Sequence, residues 1–288
     1  PSRLSRHALK AFPALLLLSS CLMTNAARAQ NDPAFPTLVP DTLPVMTAHI
    51  VRTFPHDPTA FTEGLLFDQG VLFESTGYEG QSFIRAEKLE NGVVIRQAAL
   101  PPDLFGEGIA AWRHELLSVT WRGGLGFRWS LPALHRTDTL HYAGEGWGMT
   151  TLDSEIVLSD GTPVLRFLNP AGFHVTHTLR VTAAGAPVYN LNELEYVNGE
   201  ILANVWMTNE IARIDPHTGH VKGWIDLTPL ARQVHATDRD AVPNGIAYDR
   251  AGRHLYVTGK YWPTLFEIQT PTPADTRGQR AGDNAGRP

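Results

Sequence analysis

A repeat of short apolar strands runs through the middle of this 288-residue chain. Five stretches share one pattern, in which a polar turn leads into alternating apolar residues that end at a small residue, Trp or Lys. They end at Gly77, Trp121, Gly161, Trp206 and Lys260. The successive spacings are 44, 40, 45 and 54 residues. A period in the forties with several strands per unit is typical of a β-propeller blade.

Each of these stretches is preceded by a second short strand in the same register. The second strands start at Glu63-Gly64-Leu65, Glu107-Gly108-Ile109, Trp147-Gly148-Met149, Asn192-Glu193-Leu194 and Asn244-Gly245-Ile246. Five units of about 45 residues account for residues 50–269, so we predict an all-β, five-bladed β-propeller in one domain. A polar insertion from Leu227 explains the longer last spacing. The alternative interpretation is a β-sandwich with accidental periodicity.

The composition and the charge exclude several classes of protein. With 43% hydrophobic and 18% charged residues the chain is globular rather than disordered or collagen-like. The formal charge is −5, and without the four basic residues among positions 1–29 it becomes −9. An acidic body with no basic stripe argues against binding to nucleic acid or to an anionic membrane.

Common catalytic motifs are missing from the sequence. It contains no HExxH pair, no GxSxG turn and no phosphate-binding glycine loop. The 12 histidines show no paired spacing, and His56, in FPHDP, is predicted to be a turn or loop residue. Zinc chemistry, serine catalysis and nucleotide binding therefore have no support.

The first 29 residues resemble an export signal. Three basic residues at positions 3–10 precede an apolar stretch at 11–23, and Ala27-Arg28-Ala29 supplies small residues at cleavage spacing. We therefore predict cleavage before Gln30 and an exported, periplasmic or secreted protein. The apolar stretch is 13 residues long, short of the roughly 20 that span a bilayer, so no membrane span is predicted.

A second interpretation of the same segment stays open. Leu18-Ser19-Ser20-Cys21 also resembles a lipoprotein box, in which the signal ends at about residue 20 and Cys21 carries a lipid anchor. Cys21 is the only cysteine, so the folded part has neither a disulfide nor a thiol nucleophile. Residues 30–49 are predicted to lead into the propeller, and residues 270–288 to form a flexible tail.

The repeat register also predicts where a site lies. The innermost strand of each propeller blade lines the central channel, so the first residues of the five inner strands meet at one mouth. These residues are Glu63, Glu107, Trp147, Asn192 and Asn244. The strand ends at Trp121, Trp206 and Lys260 then lie near the inner rim, which makes an aromatic pocket with few converging polar groups.

Each of these residues also has a purely structural interpretation. A tryptophan at a strand end often packs between blades, an asparagine at a strand start often caps a turn, and Lys260 is also compatible with a solvated strand end. Glu107 is harder to explain structurally. Its neighbours Gly106 and Gly108 indicate a close backbone approach and an unusual turn that holds a carboxylate.

Several stretches taken together resemble one family, the plant and bacterial glutaminyl-peptide cyclotransferases. They are FPHDPTAFTEGLLF from Phe54, LFESTG from Leu72, FGEG from Phe105, WGM from Trp147, LNELEYVNGEILANVW from Leu191, ARIDPHTG from Ala212, NGIAYD from Asn244 and VTGKYWPTLFEI from Val257. They occur in order in every proposed blade and cover about residues 50–268. The resemblance implies a five-bladed propeller.

The resemblance also implies an activity and a set of roles. The enzyme would be an acyltransferase, without cofactor or catalytic metal, that converts the N-terminal glutamine of a peptide or protein to pyroglutamate and releases ammonia. Separately, we expect the protein to be a monomer. Glu107 matches the essential glutamate, a proton shuttle, while Asn192 and Lys260 match residues that hold or polarise the substrate amide. The substrate cage would comprise Phe61, Glu63, Phe105, Trp121, Trp147 and Trp206. Glu63 departs from the plant members, which have glutamine there.

Two rival functions remain open at this point. Glu107, Asn192 and Asn244 also form a set of oxygen ligands suited to calcium, as in a propeller hydrolase acting on lactones or phosphoesters. Alternatively, the propeller binds a peptide or glycan at its aromatic mouth without catalysis.

Overall fold

The computed structural model describes residues 43–271. The predicted signal at 1–29, the possible anchor at Cys21 and positions 272–288 of the predicted tail lie outside the described residues. Within residues 43–271, no helix is long and apolar enough to cross a membrane.

The described residues form five antiparallel blades of four strands each. The described residues start with β1 (Val45–Thr47) and β2 (Ile50–Pro55). Blade 1 contains β3 (Thr62–Asp68), β4 (Val71–Thr76), β5 (Phe83–Glu87) and β6 (Val94–Ala99). Blade 2 contains β7 (Gly106–Trp112), β8 (Glu115–Thr120), β9 (Leu125–Ser130) and β10 (His135–His141). Blade 3 contains β11 (Met149–Leu152), β12 (Glu155–Leu158), β13 (Val164–Leu168) and β14 (Val175–Arg180).

A small hairpin separates the third and fourth blades, and a short helix separates the fourth and fifth. The hairpin consists of β15 (Thr182–Ala183) and β16 (Ala186–Pro187). Blade 4 contains β17 (Leu191–Val197), β18 (Glu200–Val205), β19 (Glu210–Ile214) and β20 (Val221–Asp226). Helix α1 (Thr228–Val234) lies in the predicted insertion, and β21 (Pro243–Asp249), β22 (His254–Gly259) and β23 (Thr264–Ile268) follow it.

The start of the described chain completes the last blade. Strand β2 pairs antiparallel with β23, so it becomes the outer strand of blade 5 and joins the two ends of the propeller. Strand β1 pairs in parallel with β20 and adds a fifth strand to blade 4. This strand lies in residues 45–47, inside the segment predicted only to lead into the propeller.

Glycines let the inner strands approach one another closely around the axis. A Cβ on Gly108 would lie 2.6 Å from the backbone nitrogen of Met149 and 2.6 Å from the carbonyl oxygen of Trp147. On Gly64 it would lie 2.9 Å from the backbone nitrogen of Ile109. Both contacts are with backbone atoms of the next blade, which cannot move aside. Gly108 and Gly64, which follow Glu107 and Glu63, are therefore required for ring closure.

The core lies between neighbouring blades. At the interface of blades 4 and 5, Leu202 and Ile211 pack in one cluster with Val257, Trp262 and Phe266, all fully buried. Leu227 and Leu230 join that cluster and anchor helix α1 against the propeller. The inner strands are thus fixed by packing on both sides, which gives the channel mouth a rigid frame.

Candidate active site

The polar site residues lie where four of the inner strands depart from regular pairing. The pairing register shifts between Thr62 and Gly64 in β3, and between Gly106 and Ile109 in β7. It shifts at the equivalent places in β17 and β21. Irregular positions of this kind redirect a side chain away from the sheet face. The residues at these shifts are Glu63, Glu107, Asn192 and Asn244.

One pocket at the mouth of the channel contains all nine residues that the sequence proposed for binding and catalysis. Its volume is about 220 Å³. Its lining comprises Phe61, Glu63, Tyr78, Phe105, Glu107, Trp121, Trp147, Asn192, Trp206, Asp240 and Lys260. The convergence is now an observation, whereas the individual roles in binding and catalysis stay predictions.

The aromatic side chains form the pocket wall and pack against one another. The Phe61 and Phe105 rings are 6.1 Å apart at 87°, and the Phe105 and Trp121 rings are 5.6 Å apart at 63°. The Trp147 and Trp206 rings are 5.8 Å apart at 87°. Edge-to-face pairs of this type favour a fixed arrangement of rings. The tryptophans therefore combine the two interpretations that the sequence left open, since they pack together and also face the pocket.

A buried ion pair lies at the centre of the pocket. The Lys260 Nζ donates to Glu63 Oε1 at 2.5 Å and lies 4.2 Å from the centroid of the Phe61 ring. Both charged side chains are almost fully buried, with 5% and 3% of their surface exposed. Asn244 Nδ2 donates to the other oxygen, Glu63 Oε2, at 3.1 Å. Lys260 is therefore a buried partner of Glu63 and not a solvated strand end.

Glu63 and Glu107 are hydrogen bonded to each other, so two buried carboxyls share one site. Burial raises the pKa of Glu107 well above its usual range, and the charge of Glu63 raises it further, while Lys260 opposes the rise. Burial also raises the pKa of Glu63, against the effect of Lys260. Because Lys260 contacts Glu63 directly, we assign the shared proton to Glu107 and the negative charge to Glu63.

The two asparagines differ in the structure. Asn244 bridges blades 5 and 1, since its Nδ2 donates to the Thr62 carbonyl oxygen at 2.9 Å as well as to Glu63. It therefore holds Glu63 and is not among the residues that line the pocket. Asn192 lines the pocket, and its buried Oδ1 has no hydrogen-bond partner among residues 43–271. A buried acceptor of this kind is suited to a substrate N–H.

Comparison with known proteins identifies the family. A sequence model described as glutamine cyclotransferase matches residues 15–270. This chain belongs to the glutamine cyclotransferase family. It is 40% identical over 224 residues to the glutaminyl-peptide cyclotransferase of Arabidopsis thaliana. That match covers 76% of this chain and 70% of the relative. The glutaminyl cyclase of Myxococcus xanthus has 41% identity and a TM-score of 0.75, and the match covers 79% of this chain and 97% of that one.

Family membership confirms the resemblance and the fold predicted from the sequence. It also confirms the enzyme class, an acyltransferase of the glutaminyl-peptide cyclotransferase type. The alternative of a β-sandwich is wrong, because the strands form five separate blades around one axis.

The sequence missed two residues that line the pocket of this cyclotransferase family member. Tyr78 follows Gly77, which is the blade 1 equivalent of the strand ends at Trp121 and Trp206. The repeat was therefore sufficient to place Tyr78 near the pocket. Asp240 lies in the insertion that carries helix α1. Because that insertion breaks the repeat, the sequence offers no register position from which to place Asp240.

A buried ionic network lies behind the site and centres on His56. His56 is a loop residue, as predicted, but it is buried. Its Nδ1 contacts the carbonyl oxygen of Trp262 at 2.5 Å and its Nε2 contacts Glu74 Oε1 at 3.0 Å. Both partners are acceptors, so both ring nitrogens carry a proton and His56 is a cation. Arg85 Nη2 donates to Glu74 Oε2 at 2.6 Å.

This network connects the two segments that carry Glu63 and Lys260. The Thr62 hydroxyl, next to Glu63, donates to Glu74 Oε1 at 2.7 Å. The Trp262 carbonyl belongs to the segment that follows Lys260. The His56 cation therefore fixes blade 5 against blade 1 directly behind the ion pair.

Of the three oxygen ligands proposed for a calcium-dependent hydrolase, Glu107 and Asn192 line the pocket and Asn244 does not. Asn244 directs its amide nitrogen toward Glu63 and Thr62, which leaves it behind the pocket lining. Among residues 43–271, no group of three or more His, Cys, Asp or Glu side chains is arranged to hold a metal ion. The family match supports a cyclotransferase in place of this rival.

We predict that His56 makes stability sensitive to alkaline pH. Burial alone would lower the pKa of His56, but the charge and hydrogen bond of Glu74 outweigh it, so the pKa lies above the usual 6.5. A raised pKa contributes stability that is complete below pH 6.5 and is lost as the pH rises through the raised value. His56→Gln should cost about 3 kcal/mol at pH 6, measured by denaturant unfolding.

The difference between the wild type and His56→Gln should shrink steadily from pH 6.5 upward. His254→Gln is the matched control, because His254 contacts Glu267 at 2.7 Å but is 46% exposed. A His56→Gln difference that stays constant from pH 6 to pH 10 contradicts the assignment of a buried imidazolium.

Proposed function

We propose that this protein converts the N-terminal glutamine of a peptide or protein to pyroglutamate with release of ammonia, by proton transfer through Glu107 and without a catalytic metal. The observation that supports it is the pair of buried carboxyls in a small aromatic pocket beside a lysine. A pocket of about 220 Å³ suits one terminal residue, not a longer segment of peptide.

The reaction moves one proton from one nitrogen to another. The α-amine attacks the carbon of the side-chain carboxamide and forms the lactam C–N bond, while the bond from that carbon to the departing nitrogen breaks. The attacking nitrogen loses one proton and the departing nitrogen gains one, so ammonia leaves and the atoms balance. A group poised between the two nitrogens accelerates both transfers.

Glu107 and Glu63 together meet that requirement. Protonated Glu107 donates to the departing nitrogen, and the proton from the amine returns to the pair. The hydrogen bond between the two carboxyls then restores the proton to Glu107. Lys260 keeps Glu63 ionised through its contact at 2.5 Å, which leaves the pair with a single proton.

Three further features prepare the substrate. Lys260 carries three N–H donors, of which Glu63 uses one, so another is available for the carboxamide oxygen as negative charge develops there. Asn192 Oδ1 accepts from the carboxamide NH2. The walls of Phe61, Phe105 and the three tryptophans fold the side chain back toward its own amine, since a five-membered ring closes only from that conformation.

We also propose that the protein is exported, on the basis of the signal-like residues at positions 3–29. Cleavage after Ala29 exposes Gln30, which is itself a potential substrate for the enzyme. Mass spectrometry of the protein purified from its native host should find an N-terminal pyroglutamate at residue 30. A lipid-modified Cys21 would favour the alternative anchor, and an uncleaved leader would contradict export.

The first test measures ammonia release and the matching mass loss from a short glutamine-initiated peptide, with and without EDTA. We expect turnover that EDTA does not change. Glu107→Gln should fold normally and lose at least about 100-fold in kcat, because the proton donor is gone. Thermal unfolding of the variant checks its fold.

Each other outcome of this test contradicts part of the proposal. Loss of turnover in EDTA contradicts the metal-independent mechanism. Wild-type turnover by Glu107→Gln contradicts the proton shuttle, and complete absence of turnover in the wild type favours the non-catalytic binding propeller.

A second prediction concerns Glu63. The negative charge of Glu63 raises the pKa of Glu107, so Glu63→Gln should lower that pKa while burial keeps it above the usual range. A proton donor stops working above its pKa. The alkaline limb of kcat/KM against pH should therefore move to lower pH in Glu63→Gln. The same substrate is used for both proteins, so that titration of its amine affects both pH profiles equally.

Glu195→Gln is the control for this measurement. Burial raises the pKa of Glu195 to about 8, but Glu195 lines a different cavity at the other end of the channel. Its replacement should leave the limb in place. An alkaline limb that does not move in Glu63→Gln, or that moves to higher pH, contradicts the assignment of the shared proton to Glu107.

A further inference from the structure

The aromatic wall of the pocket consists of two separate parts. The first part runs from Tyr78 through Phe61 and Phe105 to Trp121, with ring centroids 4.6, 6.1 and 5.6 Å apart. The second part is the edge-to-face pair of Trp147 and Trp206. Within residues 43–271, no ring contact joins Trp121 to Trp147. Packing among the rings therefore does not fix the spacing between the two parts.

Glu145 connects the two parts from outside the pocket. Its Oε2 accepts a hydrogen bond from Trp121 Nε1 at 2.9 Å and another from Trp147 Nε1 at 3.0 Å. Trp121 follows β8 in blade 2, whereas Trp147 precedes β11 in blade 3. An indole has one donor and no acceptor, so an acceptor at a fixed point sets the rotation of each ring. One carboxylate oxygen thus orients two walls from different blades.

Two arginines, Arg166 and Arg122, contact Glu145 and its loop. Arg166, on β13, donates to the carbonyl oxygens of Ala143 and Glu145, which lie in the loop between β10 and β11. The guanidinium of Arg122 stacks 3.7 Å from the centroid of the Trp121 ring, and its Nε lies 3.7 Å from Glu145 Oε1. Arg166 therefore fixes the backbone of the loop that carries Glu145, while Arg122 lies beside its carboxylate, which is 40% exposed.

We propose that Glu145 is a positioning residue that sets the width of the substrate cage by holding the indole edges of Trp121 and Trp147. Glu145 does not line the pocket, so it acts through the two tryptophans. The inference rests on the proposed function as far as the substrate is concerned. The hydrogen bonds themselves do not depend on it.

The kinetic test compares Glu145→Ala with Glu145→Gln. The alanine variant loses both acceptor bonds, so KM should rise roughly tenfold while kcat changes by less than about threefold. The glutamine variant keeps an amide oxygen that can accept from both indoles, so most of the loss should be restored. Glu155→Ala is the matched control, since Glu155 is a partly exposed carboxylate that accepts from Thr176 at 2.5 Å.

Two kinetic results would contradict the proposed positioning role of Glu145. If Glu145→Ala has the same KM as Glu155→Ala, Glu145 does not position the cage. If Glu145→Gln is as impaired as Glu145→Ala, the charge of Glu145 is responsible and not its acceptor bonds, which also overturns the proposal.

A second readout requires no substrate. Acrylamide quenching of tryptophan fluorescence should increase in Glu145→Ala, because two indoles gain freedom. That increase should disappear when Trp121→Phe and Trp147→Phe are already present, since phenylalanine has no N–H for Glu145 to hold. Unchanged quenching in Glu145→Ala, or an increase that persists in the phenylalanine background, overturns the proposal. If the wild type shows no turnover, the proposed function fails while quenching still tests the role of Glu145.

Discussion

The close approach of five inner strands around one axis is the constraint on which the rest of this structure depends. A side chain as small as a methyl group on Gly108 would collide with backbone atoms of the next blade. Gly108 and Gly64 therefore follow the site residues Glu107 and Glu63 directly. The register shifts at the same places direct these carboxyls toward the channel mouth. Ring closure and site assembly thus use the same few positions of blades 1 and 2.

Burial at this axis determines the chemistry of the carboxyls. Two carboxyls and one lysine share a desolvated space, and Lys260 contacts Glu63 rather than Glu107. The aromatic walls and Lys260 have opposite effects on the pKa of Glu107, since burial raises it and the lysine charge lowers it. Burial prevails at Glu107, because the hydrogen-bond partner of the lysine is the other acid, Glu63. Pairs of titratable groups in unequal environments commonly divide acid and base roles in this way.

The site residues that occupy repeated positions of the blades were predicted from the sequence. Glu63 and Glu107 occupy equivalent positions at the start of the inner strands of blades 1 and 2, and Lys260 occupies the strand-end position that Trp121 and Trp206 occupy in blades 2 and 4. A period in the forties was therefore enough to bring them together. Asp240 lies in an insertion with no equivalent in the other blades, and Glu145 lies in a loop before an inner strand. His56 was correctly predicted to lie in a loop. Its burial depends on Trp262, 206 residues later in the chain, and no local pattern reports such a contact.

The loops of the mouth show how firmly the rest of the fold holds the site. Tyr78, Met207 and Tyr261 have positive φ values of 78°, 68° and 60°, a conformation that bulky residues rarely adopt. Tyr78 lines the pocket, and the other two directly follow Trp206 and Lys260. Tyr261 N donates to the Ala60 carbonyl at 2.8 Å. Unfavourable backbone conformations persist only where surrounding contacts over-determine them, and they concentrate at functional sites. The packed blades therefore maintain the mouth in one conformation. The proposed reaction requires this, because it depends on folding a flexible glutamine side chain onto its own amine.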